Sequence, residues 1–110
     1  MTANEYQCQA LRTAGEDCGF AGYGRLINGV MGLCGESGEC VDIVKKFLYQ
    51  GHELDRERLA EELGDVAWYL AVAAHEIGYD LDSVLQGNIR KLERRYPDGF
   101  SCERSVNRED

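Results

Sequence analysis

Apolar residues recur at helical spacing along most of the chain. Leu26, Val30, Leu33, Val41, Val44 and Leu48 form one stripe, which predicts a helix from about Arg25 to Tyr49. Leu59, Leu63, Val66, Leu70, Ala73 and Ile77 form a second, with the alternating four- and three-residue steps of a bundle seam. Asp55 is placed to cap that helix and Gly78 to close it. Asp80 can cap a further helix from Leu81 to about Arg95, whose core positions are Leu81, Leu85 and Leu92. A shorter helix is predicted from Asn4 or Glu5 to Thr13, with Tyr6, Ala10 and Leu11 facing inward. Gly15, Gly19, Gly22 and Gly24 interrupt the next stretch, so residues 15–24 read as a loop. Pro97, the single proline, lies beyond the last periodic segment, and no strand-like alternation is present. These features predict an all-α, antiparallel bundle of four main helices in one domain over residues 1–110, with its core at about 26–101 and a polar tail at 102–110.

Polar positions change this picture at two places. Gly35-Glu36-Ser37-Gly38-Glu39 and Glu61-Glu62-Leu63-Gly64-Asp65 each carry a carboxylate pair at i and i+3, Glu36 with Glu39 and Glu62 with Asp65. That spacing sets both members of a pair on one helix face. The wheel puts each pair on the flank of its apolar stripe and turns Asp42 and Glu61 away. The 22 residues between Glu39 and Glu62 suffice to end one helix and return along it. Four carboxylates then converge between two helices, and burying such charge without a cation is prohibitively costly.

Other features cluster around these flanks. Tyr69 lies one turn beyond Asp65, and Lys46 returns to the edge of the acidic flank. Gly29 and Gly32 project to the same flank, where they either let two helices approach or leave room for a ligand; Gly35 and Gly38 suit close packing. Asn88, Lys91 and Arg95 make a ridge on the fourth helix that could hold an anion or simply favour the helix dipole. Gly64, Trp68, Ala71 and His75 form a stripe on the far side of the third helix. A tryptophan there predicts a subunit interface.

Composition removes several classes of function. Twenty acidic against twelve basic side chains give a net charge of -8, which opposes binding of a nucleic acid polymer. A small anion escorted by a divalent ion remains compatible. No apolar run is long enough to span a membrane, and the N-terminus lacks the pattern of a signal peptide, so a cytoplasmic location is expected. The five cysteines (Cys8, Cys18, Cys34, Cys40 and Cys102) contain no CxxC pair, and a zinc site or disulfide framework is not expected. Cys34 and Cys40 are expected as small buried hydrophobes.

The ligand chemistry can be narrowed. A di-iron bundle needs Glu-x-x-His motifs, and none is present. A calcium loop with alternating oxygen ligands is also missing. Carboxylates alone suit Mg²⁺, with Mn²⁺ possible, and magnesium accepts substrate phosphates as ligands.

The segments Gly32-Leu33-Cys34-Gly35-Glu36-Ser37-Gly38-Glu39 and Glu61-Glu62-Leu63-Gly64-Asp65 resemble the ExxE and ExxD signature of the MazG-like all-α nucleoside triphosphate pyrophosphohydrolases. The stretch from Asn88 to Phe100, which includes Tyr96-Pro97-Asp98-Gly99-Phe100, is similar to the end of that family's bundle. The likeness runs from about Leu26 to Ser101. It implies Mg²⁺-dependent cleavage of a nucleoside triphosphate between the α- and β-phosphates, giving a monophosphate and pyrophosphate, in a homodimer or homotetramer. By the same resemblance Glu36, Glu39, Glu62 and Asp65 hold the metal, and one of the glutamates serves as general base. Lys91, Arg95, Asn88 and Lys46 would hold phosphates, and Tyr69 would touch the sugar or a phosphate. Phe47, Trp68, Phe20 and Tyr23 are candidates for stacking on the base. Two alternatives stand beside this reading: a phosphoribosyl-ATP pyrophosphohydrolase and a non-catalytic helical interaction module.

Overall fold

Each helix starts where a short polar side chain can satisfy its first free N–H groups, α2 excepted. The computed structural model describes residues 1–16 and 19–109. Its helices are α1 (Ala3–Leu11), α2 (Gly24–Tyr49), α3 (Arg56–Glu76), α4 (Leu81–Arg95) and a short α5 (Cys102–Val106). Thr2 and Glu5 cap α1 reciprocally: the Glu5 N–H donates to Thr2 Oγ1 at 3.1 Å and the Thr2 N–H to Glu5 Oε2 at 3.2 Å. Asp55 accepts the Arg58 N–H at 3.0 Å at the head of α3, and Asp80 accepts the Ser83 N–H at 2.8 Å at the head of α4. Gly51 and Gly78, with φ of 74° and 84°, end α2 and α3 in the left-handed region that glycine adopts without strain. The four main helices thus fall within two residues of their predicted bounds. The predicted polar tail begins with α5, because Ser101 Oγ accepts the Arg104 N–H at 3.2 Å. No strand occurs among the described residues.

Helices α2 and α3 form the main pair. A Cβ on Gly29 would lie 3.2 Å from the Ala73 Cβ, and one on Gly32 would overlap the Tyr69 ring. Gly29 and Gly32 are therefore packing glycines, whereas Gly35 and Gly38 have nothing within 4 Å of an added Cβ. Contacts ascend α2 as they descend α3, from Gly29 at Ala73 through Gly32 at Tyr69. Arg25 and Glu76 close the far end with an ion pair of 2.6 Å.

Helix α1 lies across α3 and the start of α4. Gln7, only 5% exposed, donates through Nε2 to the carbonyls of Ala71 (3.0 Å) and Tyr79 (3.2 Å), and its Oε1 accepts the Leu81 N–H at 3.0 Å. One amide therefore ties α1 to a carbonyl inside α3 and to two backbone groups where α3 hands on to α4. Ala10, Ala71 and Leu81 form a small core beside it, with Tyr6, Trp68 and Leu70 packed around them.

Three expectations need correction here. Trp68 does not face outward: its Nε1 donates to the Ala10 carbonyl at 3.1 Å and to Thr13 Oγ1 at 3.0 Å, and its neighbour Ala71 is fully buried. Trp68 and Ala71 of that stripe are the bed for α1, whose docking face the periodicity of α3 does not reveal, while Gly64 and His75 stay exposed. Conversely, the α2 stripe expected in the core is largely uncovered, and Leu63 and Ile77 of the α3 stripe are exposed with it. Val41 is 64% exposed, Leu48 60% and Leu63 55%. Cys34 is exposed and Cys40 half-buried, so neither fills a core; Cys18 lies outside the described residues.

The whole chain is correspondingly open. Its radius of gyration is 17.1 Å, against about 13 Å for a compact chain of this length. Helix α4, which packs against α1 and α3, keeps Leu85, Ile89 and Leu92 exposed.

Candidate metal and nucleotide site

The direction of the α2–α3 pairing decides which carboxylates meet. Gly29 meets Ala73 and Gly32 meets Tyr69, and one turn beyond Gly32 Glu36 arrives opposite Asp65 and Glu62. Glu36, Glu62 and Asp65 can each present a ligand oxygen such that all three atoms lie within 4.8 Å of one another. Glu36 and Glu62 are half-buried and Asp65 is exposed. The Glu36 pKa is raised above the usual glutamate value, first because its carboxyl hydrogen-bonds that of Glu62, then through loss of water and the charges of Glu62, Asp65 and Glu39. Three carboxylates this close repel one another, so the trio is short of positive charge. A set of three hard oxygens with no nitrogen or sulfur fits Mg²⁺ or Mn²⁺. Glu39 is exposed and lies outside the 4.8 Å group, although its charge reaches Glu36.

A cavity of about 460 Å³ opens beside the carboxylates, lined by Thr13, Glu36, Asp65, Trp68 and Tyr69. Tyr69 is held there by its seat over Gly32, and its ring meets Trp68 edge-on at 5.0 Å and 88°. Burial and then the charge of Asp65 raise the pKa of Tyr6 on α1. No lysine or arginine among the described residues lines this cavity.

The predicted phosphate-holding cations lie elsewhere in the chain. Lys46 pairs with Asp42 at 2.9 Å, and the two line a separate cavity near the α2–α3 turn with His52 and Arg58. Lys46 and Lys45 together hold the Asp42 carboxyl below its usual pKa, Lys46 being the stronger influence. Asn88, Lys91 and Arg95 sit on α4. Arg95 lines a third cavity of about 580 Å³ with Arg94, Arg104 and Arg108, near the chain's C-terminal end. Phe20, Tyr23 and Phe47 are exposed and none lines the acidic cavity, which leaves Trp68 as the stacking candidate beside the carboxylates.

Thr13 is the site-lining residue that sequence reasoning missed. It belongs to no motif and reaches the cavity only because Gln7 and Trp68 dock α1 onto α3.

No helix of the described residues is long and apolar enough to cross a membrane. No solved structure matches the chain. Over 69 residues it is 42% identical to the Gene 37 protein of Mycobacterium phage L5, a match covering 59% of this chain and 60% of that relative. The chain thus spans about three-fifths of the length of the relative it matches. The MazG nucleotide pyrophosphohydrolase domain matches residues 28–100, which take in most of α2, all of α3 and α4, and the three converging carboxylates. With about two-thirds of its length matched, this chain belongs to the MazG nucleotide pyrophosphohydrolase family.

Proposed function

We propose that the protein hydrolyses a nucleoside triphosphate between its α- and β-phosphates in the presence of Mg²⁺, releasing a nucleoside monophosphate and pyrophosphate. The observation that carries this reading is the convergence of Glu36, Glu62 and Asp65 beside a cavity walled by Tyr69 and Trp68. A divalent ion held by these carboxylates would neutralise triphosphate charge and make water a better nucleophile at neutral pH. The carboxylates of Glu36, Glu62 and Asp65 would bind it, and Glu39, one turn along, would complete the acidic wall. One glutamate accepts the proton of the attacking water. The water oxygen bonds to the α-phosphorus, the bond from that phosphorus to the bridging oxygen breaks, and the electron pair leaves with pyrophosphate. Tyr69 contacts the sugar or a phosphate.

The same reading assigns an oligomer, a dimer or tetramer of antiparallel bundles. The uncovered stripe of Val30, Val41, Val44 and Leu48 supports it, because a patch of this kind is a normal association surface. The acidic cavity has no cation of its own among the described residues, while Asn88, Lys91 and Arg95 lie on a helix that packs against α1 and α3. A second copy seated on α2 would supply these groups to phosphate oxygens and offset the charge that develops there. Lys46, engaged with Asp42, is a lesser phosphate ligand in this arrangement.

Pyrophosphate release across canonical and modified triphosphates, with phosphoribosyl-ATP included, tests the reading. Mg²⁺-dependent release from at least one nucleotide, lost in Glu62→Gln, is expected. Release from none of them, or release unaffected by that substitution, overturns it.

A further inference from the structure

Half of the basic side chains fall in the last stretch of the sequence. Residues 90–110 carry six of the twelve but only five of the twenty acidic residues. Residues 1–89 are left with six basic against fifteen acidic, so an acidic chain has one end that is not acidic. The fold concentrates that end further. At the close of α4 the Tyr96 N–H donates to the Leu92 carbonyl at 2.8 Å, and the Gly99 N–H donates to the Tyr96 carbonyl at 3.1 Å. Gly99 takes a φ of 94°, and the Tyr96 and Phe100 rings pack at 5.3 Å across the turn. The turn brings Arg104 of α5, and Arg108 just beyond it, beside Arg94 and Arg95 of α4 around the cavity of about 580 Å³.

Glu103 and Glu109 line the same cavity, yet Arg94 and Arg104 form no ion pair among the described residues. Arg95 and Arg108 already have partners. Four cations against two carboxylates leave the described lining with surplus positive charge. A guanidinium presents a planar fork of N–H donors that matches two oxygens of one phosphate. A long polyanion is opposed by the acidic remainder of the surface, whereas a short one meets only this end. The volume lies in the ordinary range for a small ligand. None of the residues that line this cavity lines the acidic one, so an anion here has no need of a metal ion.

We propose that Arg94 and Arg104 hold a short phosphoanhydride chain, either free diphosphate or the phosphates of a nucleotide, at a metal-independent site separate from the acidic cavity. Neither residue is among the phosphate ligands assigned above, and Arg104 lies beyond the residues matched to the family. The site does not depend on the hydrolytic reading. Where that reading holds, the protein meets its own product or substrate a second time, at the opposite kind of charge.

Calorimetric titration of the full-length protein in EDTA tests this, with inorganic pyrophosphate, a nucleoside triphosphate and an uncharged nucleoside as probes. Saturable binding of pyrophosphate, retained in Glu62→Gln, is expected. Arg94→Gln/Arg104→Gln should weaken it by about 10-fold, the scale for two partly exposed charge pairs. Both side chains are exposed, so the substitutions should leave the melting temperature unchanged. Arg12→Gln/Arg56→Gln removes the same charge elsewhere and should leave the affinity unchanged. Equal loss in the two double variants marks a general charge effect and overturns the site. Binding that requires Mg²⁺ and disappears in Glu62→Gln also overturns it, by giving these arginines to the acidic cavity. So does binding of the nucleoside as tight as that of pyrophosphate, or no binding at all. Equal affinity for pyrophosphate and the triphosphate supports the site with the phosphate chain alone as its ligand; a much tighter triphosphate supports it with the nucleotide. Because binding is read without Mg²⁺, failure here leaves the hydrolytic reading standing.

Discussion

The Tyr69 ring lies over the bare backbone of Gly32, so close that no Cβ fits between them. One glycine thereby fixes both the approach of α2 to α3 and the position of an aromatic wall beside Glu36 and Asp65. Gly32→Ala should push the ring outward, destabilising the protein by about 1–3 kcal/mol, as overpacked sites do. Gly35→Ala, with nothing within 4 Å, should instead stabilise α2 by roughly 1 kcal/mol. Thermal or urea unfolding of the two variants gives opposite shifts if the contact is as described.

Gln7 is a second single point on which much depends. Gln7→Leu keeps the bulk but strands the Tyr79 carbonyl and the Leu81 N–H and removes the tie to the Ala71 carbonyl. A loss on the order of 2–4 kcal/mol is expected, since buried groups left without partners cost more than a hydrogen bond gains. Urea denaturation measures it. A loss below about 0.5 kcal/mol, the range of an ordinary surface substitution, would show that α1 is not held by this amide.

The acid limb of stability should contain a contribution from Asp80. Its carboxyl accepts the Ser83 N–H, the leading cause of a pKa below the usual aspartate value, followed by the Ser83 hydroxyl; the Asn4 side chain adds to the effect. A depressed folded-state pKa means the unfolded chain binds the proton more readily. The stabilisation is therefore present above the ordinary aspartate pKa of about 3.9 and is lost as pH falls from there through the lower folded value. Asp80→Asn should flatten that part of the curve, read as the urea midpoint against pH.

Mixing experiments test the placement of the cations. Arg95→Ala should lower kcat by roughly 100-fold, the scale for removing one group that stabilises developing charge. Glu62→Gln should abolish turnover by removing a member of the acidic trio. If α4 acts on the acidic group of another copy, refolding the two inactive variants together restores activity. Variants that stay inactive when mixed, while forming mixed oligomers by mass spectrometry, would place Arg95 on its own protomer's site.

Local rules were enough to read the helices, because Asp55, Asp80, Gly51 and Gly78 punctuate the chain by chemistry that acts within one turn. The pairing of Glu36 with Glu62 and Asp65 was legible for a related reason: i, i+3 spacing fixes a face, and a short connection brings two faces together. What spacing cannot carry is the docking of distant pieces. Trp68 looked outward because its cover, α1, is joined to α3 by Gln7 across more than sixty residues of sequence. Thr13 was invisible for the same reason. Gly32 was readable as either packing or ligand space, and only the Tyr69 ring decided between them. The apolar stripe of α2 misled in the other direction, since periodicity reports which face is apolar and not what covers it.

That uncovered stripe has a consequence for how the molecule is handled. If the proposed oligomer forms through Val41, Val44 and Leu48, which α2 leaves exposed, the stability of the chain depends on protomer concentration. Dilution then acts as a reagent: the melting temperature should rise with protein concentration, and specific activity should decline below the dissociation constant of the assembly. Assays run at nanomolar and micromolar protein would be sampling different populations of the same polypeptide.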